Sequence, residues 1–120
     1  MLRVAAVLRR TAPSPARGLL TDGDLVVDLA AREARRNGQA LTLTFREFDL
    51  LAFLLQHPRE AFDRTALLQH VWSWSFGDAS TVTVHVRRLR EKVEVDPSHP
   101  RRILTVFGIG YRYQPQEDPP

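Results

Sequence analysis

The chain has no cysteine, a single lysine (Lys92) and a single methionine (Met1) in its 120 residues. The first absence excludes a disulfide framework and any thiolate metal site. No apolar run approaches the ~20 residues of a membrane-spanning helix. The N-terminus also lacks the basic, apolar and small-residue order of a secretory signal. A cytoplasmic location, away from membranes, is the expectation. Catalytic spacing is missing too: there is no glycine-rich phosphate loop, no HExxH and no pair of carboxylates placed for acid–base work. Gly108-Ile109-Gly110 lacks a third glycine and falls in an expected hairpin, not between a strand and a helix. His57, His70 and His99 have no metal-ligand spacing and read as structural. No cofactor or metal is expected, and an enzyme is the most distant of the functional readings.

Apolar residues make up 43% of the chain and charged residues 26%, the balance of a soluble single domain with one modest core. The formal net charge is +3, carried almost wholly by arginine. An arginine-rich composition follows from genomic base content as readily as from a nucleic-acid partner, so the distribution is more informative than the sum. Arg87, Arg88, Arg90, Lys92, Arg101, Arg102 and Arg112 all fall in the last third. Glu91, Glu94 and Asp96 dilute them, so any useful field must be local to one face.

Along the chain, residues 2–10 read as an amphipathic helical end, too short to fold alone. Residues 11–21, with Pro13, Pro15 and Gly18, have linker composition. Residues 25–29 read as a strand. Residues 32–36 suit a second strand or, equally, a helical turn. Asn37-Gly38 signals a hairpin turn, and 40–43 form a third strand. Thr44 and Glu47 have capping-box spacing and open a helix through about Gln56, with Phe48, Leu51, Ala52 and Leu55 as its buried stripe. His57-Pro58 ends it. Asp63 is the N-cap candidate for a second helix bearing Ala66, Leu67, His70 and Val71, closed by Trp72 as a core aromatic. A loop over 73–79 precedes a third helix, which Asp96-Pro97 stops. Residues 103–107 and 111–114 then alternate as a hairpin.

The third helix, 79–94, carries the most information. Val82, Val86, Leu89 and Val93 recur at i, i+4, i+7 and i+11 and form one apolar face. The opposite face bears Ser80, Thr83, Val84, Arg87 and Arg88. Guanidinium forks, a hydroxyl and a small apolar group are what base edges in a DNA major groove can meet. For an isolated helix, merely solvated charges would be the better reading. Two helices, the second amphipathic and basic, followed by a β-hairpin make a winged helix-turn-helix, of class α+β.

Four stretches then carry a family resemblance. They are Leu43-Thr44-Phe45-Arg46-Glu47-Phe48-Asp49-Leu50-Leu51, Leu67-Leu68-Gln69-His70-Val71-Trp72, the residues from Thr81 to Arg90, and Thr105-Val106-Phe107-Gly108-Ile109-Gly110-Tyr111-Arg112. In this order and spacing, over residues 22–114, the chain resembles the winged helix-turn-helix effector domain of OmpR/PhoB-type bacterial response regulators. The resemblance implies an N-terminal antiparallel sheet, three helices and a C-terminal hairpin wing. It makes residues 1–10 the remnant of the last receiver-domain helix, 11–21 a linker and 115–120 a disordered tail. It implies base reading by Thr83, Val84 and Arg88, and phosphate contact by Thr81, His85, Arg87 and Arg90. The wing residues are Thr105, Phe107, Gly108, Gly110 and Arg112. The loop of Trp74, Ser75, Phe76, Gly77 and Asp78 matches one that can touch RNA polymerase, with packing of its aromatics against the recognition helix as the equal alternative. Further implied partners are double-stranded DNA at tandem half-sites, a receiver domain and a sensor kinase, with the chain monomeric until it pairs on DNA.

Two departures from the family pattern stand out. Phe107 occupies a position where an arginine often enters the minor groove, and Ser80 opens the recognition helix where a basic residue is common. Phe107 is expected to pack under the wing, with a sugar face or a base step as other contacts. Arg102 or Arg112 is the candidate to supply the missing charge. Both departures predict modest affinity for one protomer and a shallow salt dependence. They also favour slightly an alternative class, a winged protein-interaction module that no longer binds DNA, with Phe107, Trp74 and Phe76 as its apolar patch.

Overall fold

A computed structural model describes residues 18–74 and 78–116. The expected helix at 1–10, most of the expected linker, Ser75, Phe76 and Gly77, and residues 117–120 lie outside the described residues.

Strands β1 (Leu19–Asp22), β2 (Leu25–Asp28), β3 (Glu33–Arg36) and β4 (Gln39–Ala40) form a four-stranded antiparallel sheet in sequence order. Asn37 and Gly38 both have positive φ, 54° and 79°, the geometry of a hairpin turn that asparagine and glycine tolerate. The ambiguous segment is thus a strand. Strand β1 corrects the linker expectation, which covered Leu19, Leu20 and Thr21. Only four residues long, it has no alternation to announce it; it is recruited by pairing with β2 from Leu19↔Asp28 to Asp22↔Leu25. The third expected strand, 40–43, coincides with β4 only at Ala40; Leu41 and Leu43 lie beyond the strand, partly buried against the core.

Helix α1 (Phe45–Gln56) begins at a complete capping box, with Thr44 Oγ1 accepting from the Glu47 N–H and the Glu47 carboxylate accepting from the Thr44 N–H. Helix α2 (Arg64–Leu67) is capped by Asp63, whose Oδ1 accepts from the Ala66 N–H at 2.7 Å. It continues as a π-helical segment, Leu68–Trp72, which ends where Ser73 turns left-handed at φ 62°. Helix α3 (Ser80–Val93) then buries Val82, Val86, Leu89 and Val93 completely or nearly so. Each such side chain contributes roughly 1.5–3 kcal/mol by leaving water, which fixes the rotation of the helix and hence which face remains outside. The stripe meets Phe48, Leu51 and Leu54 of α1 and Leu67 and Val71 of the α2 arm in a single cluster. Leu55, expected in the α1 stripe, is only half-buried.

Strands β6 (Ile103–Val106) and β7 (Gly110–Tyr113) form the expected hairpin, and a two-residue strand β5 (Phe62–Asp63) adds a third member in the order β5-β7-β6. Gly110 permits this. A Cβ there would lie 2.1 Å from the Phe62 carbonyl oxygen, so no other residue allows β5 so close.

A buried polar network joins the two sheets. Arg102 donates to the Asp22 carbonyl at 3.0 Å, the Asp24 carboxylate at 2.6 Å and the Val93 carbonyl at 3.1 Å. Tyr113 donates its hydroxyl proton to Asp22 at 2.6 Å. The Glu94 carboxylate accepts from the N–H groups of Arg101, Arg102 and Ile103. Gln116 donates its N–H to Asp22 at 2.7 Å, so the expected disordered tail is corrected at its first two positions. Buried polar groups must find partners, and here they find them across up to 94 positions of sequence.

Candidate nucleic-acid interface

The start of α3 is set by Asp78, whose Oδ1 accepts from the Ser80 N–H at 2.9 Å. Hydrogen bonds from Ser80, backbone first, hold the Asp78 carboxyl below its ordinary pKa. Because the apolar stripe points inward, Thr83, Val84, Arg87 and Arg88 emerge together on the outer face. Val84 is 36% exposed, unusual for an aliphatic side chain in a helix otherwise well buried. Thr81 is half-buried. His85 is half-buried as well, and its ring stands edge-on to Trp72 at 5.0 Å. Its Nδ1 lies 2.8 Å from the Thr81 carbonyl oxygen; since a carbonyl only accepts, Nδ1 carries the proton. One side of His85 is therefore committed to its own helix.

Arg90 departs from the expected outward phosphate contact. Its Nε and Nη2 both donate to the Ile103 carbonyl, at 3.0 and 2.9 Å, and Nη2 also reaches Thr105 Oγ1 at 2.9 Å. The guanidinium lies 5.6 Å from the centre of the Tyr111 ring, and desolvation lowers its pKa. Arg90 is thus a strut between α3 and the hairpin. Arg102, proposed to replace the wing charge, is 5% exposed and held by the buried network, so it cannot. Arg112 donates to Gln114 at 2.6 Å and is half-buried.

The hairpin turn closes with the Ile109 N–H on the Val106 carbonyl at 2.9 Å, around Gly108 at φ +81°. Phe107 does not pack under it. The ring is 91% exposed, with Ile109 beside it at 56%, because the turn aims residue 107 away from both sheets. Trp72 is buried, as expected of a core aromatic, whereas Trp74 is 44% exposed with its ring 6.5 Å from that of Trp72.

A family of domains described as transcriptional regulatory protein, C terminal, matches residues 38–113. The chain belongs to this family. It is 46% identical over 114 residues to the DNA-binding response regulator MtrA of Mycobacterium tuberculosis, covering 94% of this chain and 50% of the relative. The MtrA of Mycolicibacterium smegmatis gives the same figures, so the chain spans about half the length of the curated relatives it matches. Among solved structures, the RstA DNA-binding domain of Klebsiella pneumoniae in complex with RstA box superposes with a TM-score of 0.75 at 32% identity, covering 82% of this chain and 98% of that one. DrrB of Thermotoga maritima, described as an OmpR/PhoB homolog, gives 0.75 at 31% identity over 81% of this chain and 44% of its own. The fold is the OmpR/PhoB-type winged helix, as the four sequence stretches implied.

Arg64 adjoins this candidate surface, although no pattern in the sequence singled it out. Its Nη1 donates to Thr83 Oγ1 at 3.3 Å, and its side chain borders the hollow lined by residues 105–111. A cation thus stands between the outer face of α3 and the hairpin. Its position directly after the Asp63 cap was the available signal, since that places it on the first turn of a helix adjoining α3. No helix among the described residues is long and apolar enough to cross a membrane.

Proposed function

We propose that the domain binds double-stranded DNA in a sequence-specific manner and so controls transcription, with α3 in the major groove. One observation carries this: a rigidly oriented helix face presents Thr83, Val84, Arg87 and Arg88 together and in the open. In this reading Thr83, Val84 and Arg88 meet base edges, while Thr81, His85 and Arg87 hold phosphates, and Arg64 joins the phosphate set. The RstA domain, solved on its DNA box at 32% identity, supports the same use of the fold here. A single module makes few base contacts, so two copies on tandem half-sites supply useful specificity. The protein acts in the cytoplasm. The half-length match to response regulators supports a receiver domain in the whole protein, with a sensor kinase as its partner; the loop from Trp74 to Asp78 is its surface for RNA polymerase in this reading, for which the exposure of Trp74 is the only support.

Selection of duplexes from a random pool tests the reading directly. A consensus should emerge, and Arg88→Ala should cost on the order of 1–3 kcal/mol while relaxing preference at one base position. Equal loss on the consensus and on random DNA would make Arg88 a phosphate contact instead. A second reading, a winged protein-interaction module without DNA binding, is favoured by the exposure of Phe107 alone. A folded chain that shifts no duplex at moderate salt would select it.

A further inference from the structure

Phe107 is the most exposed of the large apolar residues in the described part of the chain, at 91%, ahead of Val95 and Phe45. Unlike Phe45, which lies 4.2 Å under the Arg32 guanidinium, it has no ring or cation against it among the described residues. The tip that bears it is nevertheless held firmly. Arg90 ties β6 to α3 through Ile103 and Thr105, and Gly110 seats β7 against β5 with no room for a Cβ. Above the turn there is open space, since a Cβ on Gly108 would meet nothing within 4 Å. An aromatic ring is thus pre-positioned at the end of a rigid projection.

Its occupant follows from where the projection stands. Arg64 bonds Thr83 on the outer face of α3 and borders the hollow of the hairpin tip, so the helix face, a cation and the tip form one continuous surface. With α3 in a major groove, an element projecting beside it crosses a phosphate ridge, which Arg64 suits, and reaches the adjoining minor groove. That groove is only ~6 Å wide, which admits a single side chain. A phenyl ring cannot pair with its acceptors and gains nothing from its negative potential, but it can insert between base pairs, as apolar wedges do.

We propose that Phe107 is such a wedge: it enters the minor groove beside the site read by α3 and partly unstacks one base step. This rests on the DNA-binding reading above. The wedge makes Phe107 a specificity residue without a hydrogen bond, because pyrimidine–purine steps unstack most easily and are therefore preferred under it.

The test uses the 120-residue chain and a duplex it selects from a random pool, with 2-aminopurine substituted at successive positions flanking the site. Saturating wild-type protein should raise the fluorescence at one step on the wing side. Phe107→Ala should abolish that rise and bind about tenfold more weakly, the scale of one lost stacking contact, with an unchanged salt slope. Phe107→Trp should keep the rise, and Arg88→Ala should keep it at saturation while losing base preference. Thermal melting of Phe107→Ala should match wild type, since the ring packs on nothing. Unchanged fluorescence at every position, or wild-type affinity for Phe107→Ala, overturns the wedge while leaving DNA binding intact. No enriched duplex at all overturns both. Self-association without DNA that Phe107→Ala removes would assign the ring to a second copy of the chain and sink the proposal.

Discussion

Glu47 is 1% exposed, and its carboxylate accepts from the Thr44 N–H and from the Lys92 ammonium, 45 positions away. Burial alone would raise its pKa. The bonds from Lys92 and Thr44 outweigh burial, and the carboxyl titrates below its ordinary range. A folded-state pKa below the unfolded one adds stability above the unfolded value of ~4.3 and loses it as pH falls through the folded value. Glu47→Gln should therefore cost roughly 1–3 kcal/mol at neutral pH, the scale of a charge-assisted bond. In urea titrations the gap to wild type should close as pH drops below about 4. A gap that stays constant with pH would show that the residue acts through its shape alone. Only the Thr44 half of this arrangement was visible in the sequence, because a capping box is local and Lys92 lies on another helix.

At the scale of the element, α3 divides its arginines between two tasks. Arg87 and Arg88 follow one another on the outer face, while Arg90, two positions on, swings to the flank and binds the hairpin. The helical wheel places Arg90 on that flank correctly, but a flank position is compatible with phosphate contact and with a strut alike. The deciding partners, Ile103 and Thr105, are 13 and 15 residues away. Arg90→Ala should thus destabilise the fold by roughly 1–3 kcal/mol, leaving the Ile103 carbonyl without its donor. It should leave base preference and the slope of affinity against salt unchanged at temperatures where the variant is folded. A reduced salt slope in Arg90→Ala would restore the residue to the phosphate set. Two short strands escaped the sequence for a related reason. Strands β1 and β5 exist because partners recruit them, and neither is long enough to show a period of its own.

Over the whole molecule, the basic cluster of the last third is smaller than it looks. Of its seven cations, Arg90, Lys92 and Arg102 are bonded within the fold, and Arg112 donates to Gln114. Of the other three, Arg87 and Arg88 lie on the outer face of α3 and Arg101 is exposed past its C-terminal end; among the described residues, Arg64 from outside the cluster joins Arg87 and Arg88. Two or three phosphate contacts per protomer give a slope of log affinity against log salt of about −2 to −3. Binding measured from low to moderate salt should fall on that line. A slope steeper than about −4 per protomer would mean that internally bonded cations are released on DNA.

Periodicity, capping and turn chemistry are local, so the three helices, the buried stripe of α3, the Asn37-Gly38 turn and the hairpin are legible in residue order alone. Those same signals determined which residues of α3 face outward, because a stripe of four apolar side chains can be buried in only one rotation. Tertiary structure decided which charges remain available. Buried carbonyls and carboxylates must be satisfied by donors wherever the fold brings them, and Arg90 and Arg102 are claimed from distant positions that no local pattern records. It decided Phe107 too, since the sequence names the residue, while the clamped hairpin and its turn geometry place the ring in the open.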